Sequence, residues 1–98
     1  MENLVVLIGN IGADPELKEA GAHKVVSLQM ATTEKIQGTE KTQWHKLVFW
    51  NKGAELVTEY LKKGDKIYIR GKLQYRHYDK DQIRHYVTEI IVDKFRKL

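Results

Sequence analysis

Between Thr42 and Trp50 the chain reads Thr-Gln-Trp-His-Lys-Leu-Val-Phe-Trp, dense in aromatic and β-branched residues and free of Gly and Pro. That composition predicts a strand. Successive side chains of a strand point to opposite faces, so residues of equal parity share a side. One parity carries His45, Leu47 and Phe49, a core face. The other carries Trp44, Lys46, Val48 and Trp50, two indoles flanking an ammonium. Rings combined with cations are what holding unpaired nucleic acid requires, because bases stack on rings while cations track phosphates. At a rise of about 3.3 Å per residue the two indoles stand roughly 20 Å apart, room for more than one nucleotide. Two half-buried tryptophans under a loop or a neighbouring subunit would give the same pattern. The strand alone leaves both readings open.

The remaining elements fall around that strand. Leu4-Val5-Val6-Leu7-Ile8 predicts a first strand, ended by Gly9-Asn10-Ile11-Gly12 and apolar enough for both faces to be covered. Gly12 to Glu16 is a turn holding the only proline, and Leu17 to Lys24 reads as a loop or short edge strand. Val25 to Thr33 alternates, with Val26, Leu28 and Met30 opposite Val25, Ser27 and Gln29, a half-buried second strand. Glu34 to Lys41 is polar and contains glycine, and reads as a long functional loop before the third strand. Asn51 is placed to cap a helix from about Gly53 to Lys63, with Leu56, Val57, Tyr60 and Leu61 as its core stripe. Lys62-Lys63-Gly64 supplies cations for the dipole and a stop.

Asp65 to Tyr78 reads as a long fourth strand whose Gly71 suits a bulge or bend. Ile67, Ile69, Leu73 and Tyr75 share one parity; Lys66, Arg70, Lys72, Gln74, Arg76 and Tyr78 share the other, again cations beside rings. Asp79 to Gln82 is a hairpin turn, Ile83 to Val92 a fifth strand, and Asp93 to Leu98 frays from it. Five strands, a bent fourth strand and one helix between the third and fourth amount to an all-β, five-stranded Greek-key OB-fold barrel, an architecture used for oligonucleotides and oligosaccharides.

At 98 residues the chain has room for one core and one domain. It has no cysteine, which excludes disulfides and thiolate metal sites. The longest apolar run is too short to span a bilayer, and no secretory or transit leader is evident, so a cytoplasmic location is expected. The formal charge of +4 is uneven. Residues 1–49 carry five Lys against six acids, residues 50–98 twelve Lys and Arg against seven, pointing to a polyanion on the second half.

Several segments together resemble the bacterial single-stranded DNA-binding protein family: Val5 to Gly12 followed by Asp14-Pro15-Glu16, Ala31-Thr32, Trp44-His45-Lys46, Ala54 to Gly64, and Tyr68-Ile69-Arg70-Gly71-Lys72-Leu73. The match runs through nearly the whole chain in order. The resemblance implies an OB-fold homotetramer, active in the bacterial nucleoid, that binds single-stranded DNA without strict sequence preference in replication, recombination and repair. It implies stacking at Trp44, Trp50 and Tyr78, the last two replacing the family's frequent Phe and Trp. A further aromatic of the family falls on Ile36, which cannot stack as an aryl ring does. Cationic contacts map onto Lys18, Lys46, Lys52 and Arg76, and strand parity adds Lys72. His45 falls on a subunit-interface histidine, and the first strand, with Leu4, Val6 and Ile8, on an edge that pairs across subunits. The family usually continues into a flexible segment with an acidic tip; here the sequence stops at the basic Lys94-Phe95-Arg96-Lys97-Leu98, so tail-borne partners are not expected.

An enzyme is not expected, nor a metal or cofactor. His23, His45, His77 and His85 lack metal-ligand spacing, Asp79 and Asp81 lie in a turn, and Gly9-x-x-Gly12 is neither a P-loop nor a dinucleotide fingerprint. An OB module used only for protein assembly would explain buried tryptophans but not Lys46, Lys72 and Arg76 on the same parities. An RNA-binding OB protein remains an alternative, because stacking and phosphate contacts do not distinguish the sugars.

Overall fold

Strand-length alternation turns into pairing across the whole chain. The computed structural model describes residues 1–98 and contains β1 (Val5–Ile11), β2 (Lys18–Ala20), β3 (His23–Ile36), β4 (Thr39–Trp50), α1 (Lys52–Tyr60), β5 (Lys66–Lys80) and β6 (Ile83–Lys97). The sheet runs β1-β5-β6-β4-β3-β2, and pairing of Asn10 with Ala31 and Ile11 with Met30 joins β1 back to β3. Five strands therefore close a barrel, with β2 as a three-residue edge on β3 and α1 between the barrel's third and fourth strands. That is the expected architecture. β4 and β6 meet in parallel at Leu47–Ile90 and Val48–Ile91; every other pairing is antiparallel.

The core follows the parity of the strands. Val26, Leu28 and Met30 from β3, Leu47 and Phe49 from β4, and Ile67 and Ile69 from β5 are buried together with Ile11, Ile90 and the helix residues Ala54 and Val57. Phe49 meets Phe95 edge to face, ring centres 5.8 Å apart.

Several local expectations are corrected. Glu34 to Lys41 is not a loop: β3 and β4 stay paired out to Ile36–Thr39 around a two-residue turn, Gln37-Gly38, with φ of 50° and 81°. Positive φ at both central residues gives the turn the twist that a hairpin needs. Opposed Glu34–Lys41 and Lys35–Glu40 match charges across it.

The helix ends at Tyr60, not Lys63. Leu61 is already extended yet buried, Tyr60 is exposed, and the backbone N–H groups of Lys62 and Lys63 donate to Asp65 and Asp14. Nor does the Asn51 side chain cap the helix; its Oδ1 accepts from the Lys24 backbone N–H at 3.0 Å.

Asp93 to Leu98 does not fray. Lys94 to Lys97 pair with Arg70 to Ile67, and Leu98 N–H donates to the Lys66 carbonyl. The irregularity expected at Gly71 lies there, but the extra residue is Asp93 on β6, which forms an ion pair with Arg70 at 2.9 Å. Gly71 is buried against β6, and a Cβ there would fall on the Ile91 carbonyl.

Last, the hairpin turn between β5 and β6 is centred on Asp81-Gln82, both at positive φ. Beyond Gly71 β5 leaves the core, while β6 stays on β4 as far as Ile90, so Leu73 and Tyr75 are exposed although they share the parity of Ile67 and Ile69. No helix is long and apolar enough to cross a membrane.

Candidate nucleic-acid interface

Residues directly opposed on neighbouring strands share a face of the sheet. On the outer face, Lys18, Val25 and Trp50 form one row across β2, β3 and β4. Ser27, Val48, Ile91 and Lys72 form the next across β3, β4, β6 and β5. Gln29 opposes Lys46, and Glu89 opposes Gln74, the two pairs joined by contact of Lys46 with Glu89. Farther along come Ala31 with Trp44, Val87 with Arg76, and His85 with Tyr78. Registry thus brings Trp44, Trp50, Tyr78, Lys18, Lys46, Lys72 and Arg76 onto one face.

Each ring is braced on one side and otherwise exposed. Trp44 is 59% exposed, and its indole lies against the Gly12 backbone, where a Cβ would stand 2.8 Å from Cζ3. Only a glycine leaves that seat open. Trp50 meets the His23 ring edge to face at 6.2 Å, and the Asn51 side chain lies 3.2 Å from His23 Nδ1. Tyr78 stacks on His85, centres 5.1 Å apart and planes within 14°. Braced aromatics lose little freedom when a base settles on the open side.

The cations differ in their partners. Lys18 and Lys72 form no ion pair, whereas Lys46 and Arg76 both contact Glu89, at 3.8 and 2.9 Å. Glu89 is only 4% exposed and also accepts from Gln74 Nε2 at 3.3 Å. Lys52 opens α1 and lines a groove of about 340 Å³ with Phe49, Leu56, Lys94 and Phe95, apart from the rows. Ile36 is exposed at the far end of the β3–β4 hairpin.

Two clusters outside the face hold the frame. Lys24 Nζ donates to Glu55 at 2.7 Å, a bond that raises the lysine's pKa and lowers the glutamate's and ties β3 to α1. Asp65 is held below the usual carboxylate range chiefly by the Lys62 backbone N–H and secondarily by Lys97.

Leu4, just before β1, and Val6 and Ile8 within it are exposed, and the second edge of β1 pairs with β3 only at Asn10 and Ile11. His45 is half-buried and bonded through Nε2 to Thr32 Oγ1 at 2.8 Å.

Sequence reasoning missed Glu89, Gly12, His23 and His85. His85 follows once the turn is centred on Asp81-Gln82, which fixes its register with Tyr78. Glu89 was signalled only as an acid beginning the apolar run Ile90-Ile91-Val92.

A sequence model of the "Single-strand binding protein family" matches residues 2–98. The chain is 39% identical to the "Single-stranded DNA-binding protein 1" of Chlorobaculum tepidum, covering 98% of this chain and 64% of that one. It is 42% identical to the "Single-stranded DNA-binding protein" of Bacteroides thetaiotaomicron, covering 98% and 65%. The chain thus spans somewhat less than two thirds of the length of these relatives. Among solved structures, "Plasmodium falciparum SSB complex with ssDNA" superposes with a TM-score of 0.92 at 29% identity, covering 100% of this chain and 96% of that one.

Proposed function

The chain belongs to the single-strand binding protein family, and from that membership and its ring-and-cation face we propose that it binds single-stranded DNA without strict sequence preference. The observation that carries the reading is the common face of Trp44, Trp50, Tyr78, Lys46 and Arg76. Bases stack on the open sides of the three rings, each worth about 1–3 kcal/mol by alanine substitution. Lys18, Lys46, Lys52, Lys72 and Arg76 displace counterions from phosphates. Affinity then falls by roughly 0.7 logarithmic units per tenfold salt for every phosphate neutralised. The resemblance of relatives named for single-stranded DNA supports a role in covering such strands during replication, recombination and repair in the bacterial cytoplasm.

The same reading has the chain act as a homo-oligomer, a tetramer by resemblance. An exposed apolar stripe along a strand with a largely unpaired edge is suited to pairing with a second copy. Leu4, Val6 and Ile8 supply that stripe and His45 an adjoining contact.

The test is titration with oligo(dT) while following tryptophan fluorescence at two salt concentrations. Quenching that weakens as salt rises supports the proposal; unchanged fluorescence and no retained oligonucleotide would defeat it. Competition between matched deoxy- and ribo-oligonucleotides separates DNA from RNA as the ligand.

A further inference from the structure

Glu89 stands in the middle of a face otherwise furnished with rings and cations. Its carboxylate is 4% exposed, and both oxygens are engaged: Oε1 accepts from Arg76 Nε at 2.9 Å and Gln74 Nε2 at 3.3 Å, while Oε2 lies 3.8 Å from Lys46 Nζ. These are the two cations at the centre of the face. Water screens a buried charge less than an exposed one, so the field of this carboxylate reaches anything bound above it. A phosphate brought to Arg76 or Lys46 must share that cation with an anion already in place. Together the three groups offer one net positive charge, not two. Lys18 and Lys72, in the neighbouring rows, have no acidic partner.

We propose that Glu89 is an internal counterion of the binding face, which limits the centre to one phosphate and directs the rest of the backbone to the unpaired cations Lys18 and Lys72. The inference rests on the reading of this face as a single-strand site. It adds a specificity device to it. With the centre partly neutralised, a strand is held there by its bases, and a polyanion without bases gains little. A duplex, whose bases are not available for stacking, is disfavoured by the same means.

The experiment measures affinity for oligo(dT), and for polyphosphate as a base-free polyanion, over a range of salt with wild type and Glu89→Gln. The amide keeps an acceptor for Arg76 and removes the charge. Releasing one more phosphate's counterions steepens the salt slope by about 0.7. Glu89→Gln should therefore bind more tightly than wild type at low salt. Its advantage should shrink by about 2.6-fold between about 50 and about 200 mM salt, and polyphosphate should gain as oligo(dT) does, because the gain needs no bases. A slope equal to wild type overturns the inference, and so does weaker binding at an unchanged slope, which would make Glu89 only a prop for Arg76. Should Glu89→Gln melt early, the comparison is repeated in Arg76→Gln, where no arginine loses its partner. Adding Glu89→Gln to that variant should return the slope to the wild-type value; a slope left where Arg76→Gln alone puts it overturns the inference. Failure of wild type to bind oligo(dT) would instead reject the single-strand reading itself.

Discussion

Trp44 and Phe49 lie on one strand five residues apart, on opposite faces, and their removal should do opposite things. Phe49 is 1% exposed and packs on Phe95; Phe49→Ala opens a cavity in the barrel at a cost of about 3–5 kcal/mol. Trp44 is 59% exposed. With about 250 Å² to a full indole, only about 100 Å² is covered, worth about 2.5 kcal/mol at about 25 cal/mol/Å². Alanine keeps part of that, so Trp44→Ala should cost about 1–2 kcal/mol of stability. A domain of this size loses about 4–8 °C of Tm per kcal/mol, so the Trp44 variant melts roughly 4–16 °C lower and the Phe49 variant far lower still. Binding should rank the other way. Loss of one stacked base, about 1–3 kcal/mol, weakens Trp44→Ala by about 5- to 150-fold. Thermal melts and anisotropy of a labelled oligo(dT) measure both quantities for each variant. If Trp44→Ala melts as early as Phe49→Ala while its folded fraction keeps wild-type affinity, the outward reading of the strand is refuted.

Gly12→Ala sets a methyl 2.8 Å from Trp44 Cζ3; the indole must swing from its seat, so binding should weaken toward the Trp44→Ala value and the melt should fall by no more than it does in Trp44→Ala, as anisotropy and calorimetry will show. Asp65 titrates lower in the folded chain than in the unfolded one. Its contribution to stability is therefore complete above the ordinary value of about 3.9 and fades as pH falls through the lower folded value. Urea midpoints should accordingly separate wild type from Asp65→Asn at pH 7 and converge in strong acid; a gap that widens in acid would reverse the assignment. Ile8→Glu puts a charge in the exposed stripe of β1, and sedimentation should show a smaller assembly than wild type with the barrel's circular dichroism retained.

The parts of the fold legible in the chain are those in which one face is buried. Val26, Leu28, Met30, Leu47 and Phe49 alternate because the barrel interior admits only apolar side chains, and a period of two survives any uncertainty about ends. Where neither face is buried, the signal disappears. Glu34 to Lys41 looked like a loop because both faces of that hairpin meet water; only Gln37-Gly38 and the opposed charges mark the turn. Leu61 reads as helical because burial and helical spacing coincide there, while the acceptor that draws Lys63 out of the helix is Asp14, 49 residues away. Asp93 reverses the parity of β6, which made a paired strand look frayed. Glu89 was missed for a related reason: its partners come from β4 and β5, and the parallel contact of β4 with β6 leaves no local trace.

The long hairpin of β5 and β6 makes the candidate face one surface with two mechanical characters. Up to Gly71, β5 contributes Ile67 and Ile69 to the core; beyond it every residue of the arm from Lys72 to Arg84 is exposed. The arm is held by side-chain pairs across its two strands: Tyr78 on His85, His77 beside Tyr86, and Arg84 with Asp79 at 3.4 Å. Such pairs contribute roughly 0.2–1 kcal/mol each, far less than burial of a core side chain. Regions with few buried apolar contacts open at lower free energy than the core. Trp50 extends from the part of β4 whose inner face, Leu47 and Phe49, is sealed, and Trp44 is seated on Gly12, so both offer firm platforms. Tyr78 rides on the compliant arm. On the proposed single-strand reading, the rigid rings would set where a strand enters and the yielding one would follow where it goes. Gly71 and Asp93 mark the boundary: Gly71 packs on the Ile91 carbonyl where no Cβ would fit, and Asp93 is the extra residue opposite the step from Arg70 to Gly71.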